Sequence, residues 1–367
     1  MNIQRRYIGF MEKTSKSIRL EYIDMTKGIG IILVILGHII YTEKHILVWI
    51  SSFHMPLFFV IAGIMMAIKN EEQIDIRKKV KALLIPYLWF SLIDFLLDIG
   101  NLVLGKIDKN IFVISSISSI TFYGKSVMWF LIALLLAEVY FSLLHNYLPE
   151  KLVYILCALI AVISIFCKMG LQEIYELNAD SLPLTSLVNF VRTFVRAGVV
   201  LPFVAYGYGI WKLLCAKFNN FANSDGFNLI QFISSVILLG LGVTVAMINW
   251  SVDTNNMVLG NPILYYAGGF LGSFGLVLLC KSIPSCRPIT YFGRNSLIIM
   301  ATHLECYILW AGIKTASLVF GIIPNAVLFV ILIVVFTLIF ECVPIEIINR
   351  FFPFIIGKKR VKSDINM

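Results

Sequence analysis

Charge is scarce in this sequence: Asp, Glu, Lys and Arg together make up 14% of 367 residues, against 59% hydrophobic residues and a mean hydropathy of +0.89. Soluble domains carry about a quarter charged residues, so an assembly of soluble domains is excluded and lipid is the expected solvent. The chain also has no C-x-x-C pair. Its seven cysteines (Cys157, Cys167, Cys215, Cys280, Cys286, Cys306 and Cys342) stand singly, mostly in or beside apolar runs. That leaves no disulfide framework and no metal site, and they read as small hydrophobes. No small-residue cleavage site follows the basic N-terminus, which is therefore expected to be an uncleaved cytoplasmic arm rather than a signal peptide. Without an internal repeat, low-complexity tract or interdomain linker, the chain reads as one helical domain.

What is present is a succession of apolar stretches of about 18 to 22 residues with at most one or two charges, the length that crosses ~30 Å of hydrocarbon at ~1.5 Å per residue. Each is expected to be a helix, because a backbone facing lipid must satisfy its own hydrogen bonds. Spans are expected at 28–42, 46–68, 82–104, 127–145, 152–170, 188–211, 228–249, 262–280, 289–312 and 323–345. The fold class is thus all-α, a polytopic membrane protein of about ten transmembrane helices.

The formal charge of +9 does not point to nucleic acid, because the basic residues lie in short clusters between apolar runs. Lys and Arg collect at both ends (Arg5, Arg6, Lys13, Lys16, Arg19; Lys358, Lys359, Arg360, Lys362) and at alternate loops (Arg77 to Lys81; Lys212 and Lys217; Lys281 and Arg287). The loop after the fifth span is acidic instead (Glu173, Glu176, Asp180), and Asp253 follows the seventh. By the positive-inside rule both termini are cytoplasmic. The expected organisation is a basic arm over 1–20, a membrane domain over 21–349 and a basic tail over 350–367.

Ionisable groups inside a bilayer are costly and mark function by default, with interhelix pairing as the plain alternative. The first span carries Asp24, Lys27 and His38. Eleven steps of ~100° bring Lys27 and His38 onto one helix face about 16 Å apart, one near the interface and one deep. Gly28, Gly30 and Gly37 leave room on that helix for a close neighbour or a ligand. His54 opens the second span as F-H-M-P-L-F-F, where a second imidazole can approach the first. A neutral imidazole accepts a proton at physiological pH, as activation of a hydroxyl requires. Arg77, Lys78, Lys79 and Lys81 form the densest basic cluster between spans, read either as a topology signal or as a site for an anionic donor. Later candidates are Trp129 and Glu138, with Glu138 read first as a helix anchor. Arg192 and Arg196 lie one turn apart, placed to snorkel or to bind an anion. Asn295, His303 and Glu305 complete the set; the last two point to different faces and form no assumed pair.

Taken together these strings resemble the acyltransferase-3 family of membrane acyltransferases, and in particular its branch related to fucose 4-O-acetylases. The resemblance rests on a basic residue, ten residues and His (Lys27 to His38), the F-H-M-P-L-F-F phrase (Phe53 to Phe59), a basic stretch ending in Pro (Arg77 to Pro86), W-F-L at Trp129 to Leu131, and G-x-N-S-L at Gly293 to Leu297. The chain departs from the commoner family pattern in carrying Lys27 for Arg, and Lys78 and Lys81 for an Arg-x-x-Arg pair, so donor contacts are expected to differ in detail. No appended soluble esterase-like domain is seen after the tenth span. The resemblance implies O-acyl transfer, with acetyl the expected group. The donor would be cytoplasmic acyl-CoA, used as substrate with no bound cofactor, and the acceptor a hydroxyl of a cell-envelope glycan or its lipid-linked precursor. It implies His38 as general base or acyl carrier assisted by His54, and Lys27 with the 77–81 cluster on the donor. The expected location is a bacterial plasma or inner membrane, with bilayer, acyl-CoA and glycan as partners and self-association or glycan-assembly partners left open. The competing reading is a transporter or flippase for a lipid-linked glycan; a non-catalytic assembly partner is a third, which leaves the aligned Lys27 and His38 unexplained.

Overall fold

The computed structural model describes residues 20–69, 73–177, 181–217, 227–321 and 325–358. The terminal basic clusters apart from Lys358, and Asp180, lie outside them. Among the described residues thirteen α-helices run in order: α1 Glu21–Gly37, α2 Lys44–Lys69, α3 Ile76–Val103, α4 Lys109–Ile120, α5 Trp129–Tyr147, α6 Glu150–Leu177, α7 Leu182–Lys217, α8 Leu229–Asn249, α9 Pro262–Ser282, α10 Arg287–Arg294, α11 Ser296–Thr302, α12 Ile308–Phe320 and α13 Ala326–Phe351. A 3₁₀ turn at Ser126–Met128 leads into α5 and another at Pro353–Ile356 follows α13. The described residues form no strand beyond an isolated bridge between Asp253 and Val258.

Among the described residues eight helices (α2, α3, α5 with its 3₁₀ turn, α6, α7, α8, α9 and α13) are long and apolar enough to cross a membrane. Two of the ten expected spans are not long unbroken helices. The first, α1, has 17 residues and ends at His38. The expected span 289–312 is divided among α10, α11 and α12, with turns around Asn295 and from His303 to Tyr307. Its apolar composition reads as continuous, but Tyr307 takes a left-handed backbone (φ 59°) and the helix restarts beyond it. The Leu309 N–H reaches back to the His303 carbonyl at 2.8 Å, which satisfies backbone groups that the break releases. The short helix α4 is an element not expected from the span pattern, since its 12 residues cannot cross a bilayer.

Helices α2, α5, α7 and α9 bury more than half of their apolar windows inside the protein, whereas α6, α8 and α13 bury less than a quarter. The first set is the core and the second presents its apolar surface outward, as lipid-facing helices do. Pro56, Pro86, Pro202 and Pro344 lie within helices. The crossing of α1 and α10 positions the polar residues of both helices. A Cβ on Gly28 would strike the Ile289 carbonyl, and one on Gly293 the Asp24 carbonyl, so the two backbones meet where both chains carry glycine. This approach lets Arg294 Nε donate to Asp24 Oδ2 at 3.1 Å and carries α11 along α1 toward His38.

Candidate functional site

His38 caps the C-terminus of α1 and lines a cavity of about 450 Å³ together with His54, Trp129, Asp253, Met300 and others. The Val34 carbonyl accepts from His38 Nδ1 at 2.7 Å and the Ile50 carbonyl from His54 Nδ1 at 2.8 Å. A carbonyl can only accept, so each Nδ1 carries the proton and each neutral ring keeps its Nε2 lone pair for a substrate proton. His303, fully buried at the end of α11, has its own Nδ1 on the Ile299 and Met300 carbonyls at 2.8 and 3.0 Å. Its Nε2 is therefore an acceptor, and it stands 3.5 Å from His38 Nδ1 with the rings edge to face at 5.1 Å. The three imidazoles thus form a graded set. His38 and His54 face the cavity, and His303 stands behind His38 with a lone pair toward its Nδ1–H.

At the other end of α1 lies a second cavity, of about 530 Å³, lined by Lys27, Lys69, Lys79, Arg294 and Lys358 against only two carboxylates, Asp24 and Glu138. Glu138, buried on α5, pairs with Lys79 at 3.2 Å. Of the basic cluster opening α3, only Lys79 lines this cavity; Arg77, Lys78 and Lys81 are exposed. Lys78 is held at the helix start, where Asp75 accepts from its backbone N–H at 3.2 Å and its ammonium lies 3.4 Å from the same carboxylate. That backbone donor holds the Asp75 carboxyl below its ordinary range. Apolar walls from Phe58, Phe130 and Leu134 complete the cavity. Among the described residues Met300 is the one that lines both cavities.

The remaining sequence candidates fall elsewhere. Arg192 and Arg196 are buried at 6% and 0% exposure rather than snorkelling. Glu305 shares the Lys125 ammonium with Asp98, at 3.0 and 2.9 Å, and so ties the turn after α11 to α3. Asn295 donates to the Tyr291 carbonyl and accepts from Asn349, bracing the joint between α10 and α11. None of these residues lines either of the two cavities at the ends of α1. Conversely, sequence reasoning does not single out Lys69, Arg294 and Lys358 at the cationic cavity, or Ser51, Ser126, Asp253, Thr254 and Asn255 at the histidine cavity. Arg294 stands in plain view inside the G-x-N-S-L phrase. The others carry no local signal, because only the packing of α1 against α10 and of the 250–260 loop over α2 collects them. Among the described residues no group of His, Cys, Asp and Glu is placed to hold a metal.

Compared with known proteins, residues 20–344 match the family model described as an acyltransferase domain. No curated protein matches the chain. No solved structure does either.

Proposed function

The chain belongs to the acyltransferase-3 family and is a membrane acyltransferase, and from this premise we propose that it moves an acetyl group from cytoplasmic acyl-CoA to a hydroxyl of a cell-envelope glycan or its lipid-linked precursor. The observation that carries the proposal is the pair of cavities at the two ends of α1, cationic at Lys27 and histidine-lined at His38, with Met300 in the wall of both. The cationic end suits the phosphates of CoA, as point charges from Lys27, Lys69 and Lys79 and as a planar donor from Arg294. The apolar walls suit the pantetheine arm, which runs toward Met300 and presents its thioester to His38. With the clustered cations on the cytoplasmic side, His38 opens to the opposite face and both ends of the chain are cytoplasmic.

The reaction then follows from the tautomers. His38 Nε2 takes the proton of the acceptor hydroxyl as its oxygen bonds to the thioester carbonyl carbon. The resulting imidazolium keeps its Nδ1–H on the Val34 carbonyl, with the His303 Nε2 lone pair alongside to favour the positive charge. Collapse of the tetrahedral intermediate breaks the C–S bond, and the CoA thiolate recovers the proton from His38 Nε2. His54, with its Nε2 also free, accepts from a neighbouring hydroxyl of the same sugar and so orients the acceptor. The acyl group joins the glycan as an ester and free CoA leaves on the side it entered.

The test is release of CoA from acetyl-CoA by the purified protein in liposomes, wild type beside His38→Ala, with and without a crude lipid-linked glycan extract. Glycan-dependent release that disappears in the variant is the expected result. Passage of labelled lipid-linked sugar across the membrane with no CoA released would replace acyl transfer by transport.

A further inference from the structure

A third cavity, of about 540 Å³, is lined in part by the same loop as the histidine cavity: the 250–260 loop gives Val252 to Asn255 to one and Asn256 and Val258 to the other. Tyr123, three residues before the Ser126 that lines the histidine cavity, lines this one. Its polar lining holds two cations, Arg192 and Lys168, with the amides of Gln172, Asn189 and Asn256, and no carboxylate. Arg192 lies between two aromatic faces, 5.5 Å from the Tyr123 ring and 5.6 Å from the Tyr175 ring. Among the described residues it has neither an ion-pair nor a hydrogen-bond partner. One turn further along α7, Arg196 is fully buried. It donates from Nη1 to the Tyr123 carbonyl at 3.0 Å and leaves Nε and Nη2 without a partner among the described residues.

Two buried guanidiniums on one helix face repel each other and are costly unless an anion joins them. Ring faces and amides beside cations are also the complement of a sugar bearing a negative charge. We propose that this cavity is an acceptor subsite that binds an anionic group of the glycan, a carboxylate or a phosphate, at Arg192. The Arg192 guanidinium donates to the anionic oxygens, Tyr123 and Tyr175 pack on the sugar, and the chain of the acceptor crosses the Asn255–Asn256 edge to place a hydroxyl at His38. Arg196 positions Tyr123 from behind. The glycan nature of the ligand rests on the acyl-transfer reading; its charge rests on the cavity alone.

Binding is measured without acyl-CoA, so that it is read independently of turnover, with full-length protein in nanodiscs of zwitterionic lipid. The probes are a uronic-acid oligosaccharide, a neutral oligosaccharide of equal length and a prenyl-diphosphate-linked sugar. At least one anionic probe is expected to bind roughly tenfold tighter than the neutral one. Which anionic probe wins identifies a sugar carboxylate or a carrier phosphate as the source. The preference should vanish in Arg192→Gln, return in part in Arg192→Lys, and weaken in Lys168→Gln, which sits at the less buried rim and serves if the Arg192 variants do not fold. Equal binding of all three probes by the wild type, or a preference unchanged in both Arg192→Gln and Lys168→Gln, would overturn the subsite. A selective anion site in a protein that never releases CoA would instead keep the subsite and remove the acyl-transfer reading.

Discussion

The two ends of α1 differ in the kind of chemistry they collect. Around Lys27, five cations face two carboxylates; around His38, the lining has no Lys or Arg, and its ionisable groups are two imidazoles and Asp253. Charge at the first end can hold a polyanion, and its lining has no imidazole. At the second end neutral imidazoles can take one but would hold a polyanion poorly. The proposed reaction thus separates binding from bond-making along ~16 Å of helix, with a single flexible side chain, Met300, where the two regions adjoin.

The largest expected effect comes from removing the base. His38→Ala should lower kcat by about 10²–10⁴ with the KM for acyl-CoA little changed, since general base catalysis supplies a factor of that order. Similar KM and kcat losses from His38→Ala would instead merge the two regions into one binding site. Next is the boundary between them. Met300→Trp fills the passage and should cost roughly 10² in kcat while leaving CoA binding, followed by direct titration, near that of the wild type. A wild-type rate in that variant would mean that the donor reaches His38 by another route. At the cationic end, Lys79→Ala should raise the KM for acyl-CoA about tenfold, whereas Lys78→Ala, exposed and held by Asp75, should stay within about twofold. Equal effects of the two substitutions would show that the whole basic cluster binds the donor rather than its one inward-facing member. The smallest effect sharpens the histidine end: His303→Ala should lower kcat about fivefold to tenfold with both KM values unchanged, and shift the pH–rate profile, because His303 acts through His38 and touches no substrate. Loss of protein without a change in the profile of what remains would assign it to packing alone.

Much of this arrangement is legible in the sequence, and the parts that are not have physical reasons. The spacing from Lys27 to His38 is a property of one helix, so helical geometry alone puts them on one face and at opposite ends. His54 and His38 meet because α1 and α2 are joined by a short turn. The wall formed by α10 and α11 is hidden, since residues 289–312 read as one apolar span and nothing local announces the left-handed Tyr307; Gly28 signals a close neighbour on α1, but not that the neighbour is α10. The close approach of α1 and α10 brings Arg294 to Asp24, and α11, running on from it, ends with His303 behind His38. For Arg192 and Arg196, a pair one turn apart near a helix end fits snorkelling as well as burial; only the packing of the 121–129 segment and its tyrosine over α7 decides between them. Lys78 and Lys79 are indistinguishable by composition, and the capping Asp75 together with the buried Glu138 separates them.

Separation of donor and acceptor by the membrane is the feature on which the two-cavity mechanism depends. Proteoliposomes of uniform orientation would be loaded with lipid-linked glycan on the His38 side only, with labelled acetyl-CoA supplied only from the Lys27 side. Label is predicted on the enclosed glycan, with CoA released outside and nothing transferred by His38→Ala. Transfer only when glycan and acetyl-CoA share one side would contradict that separation.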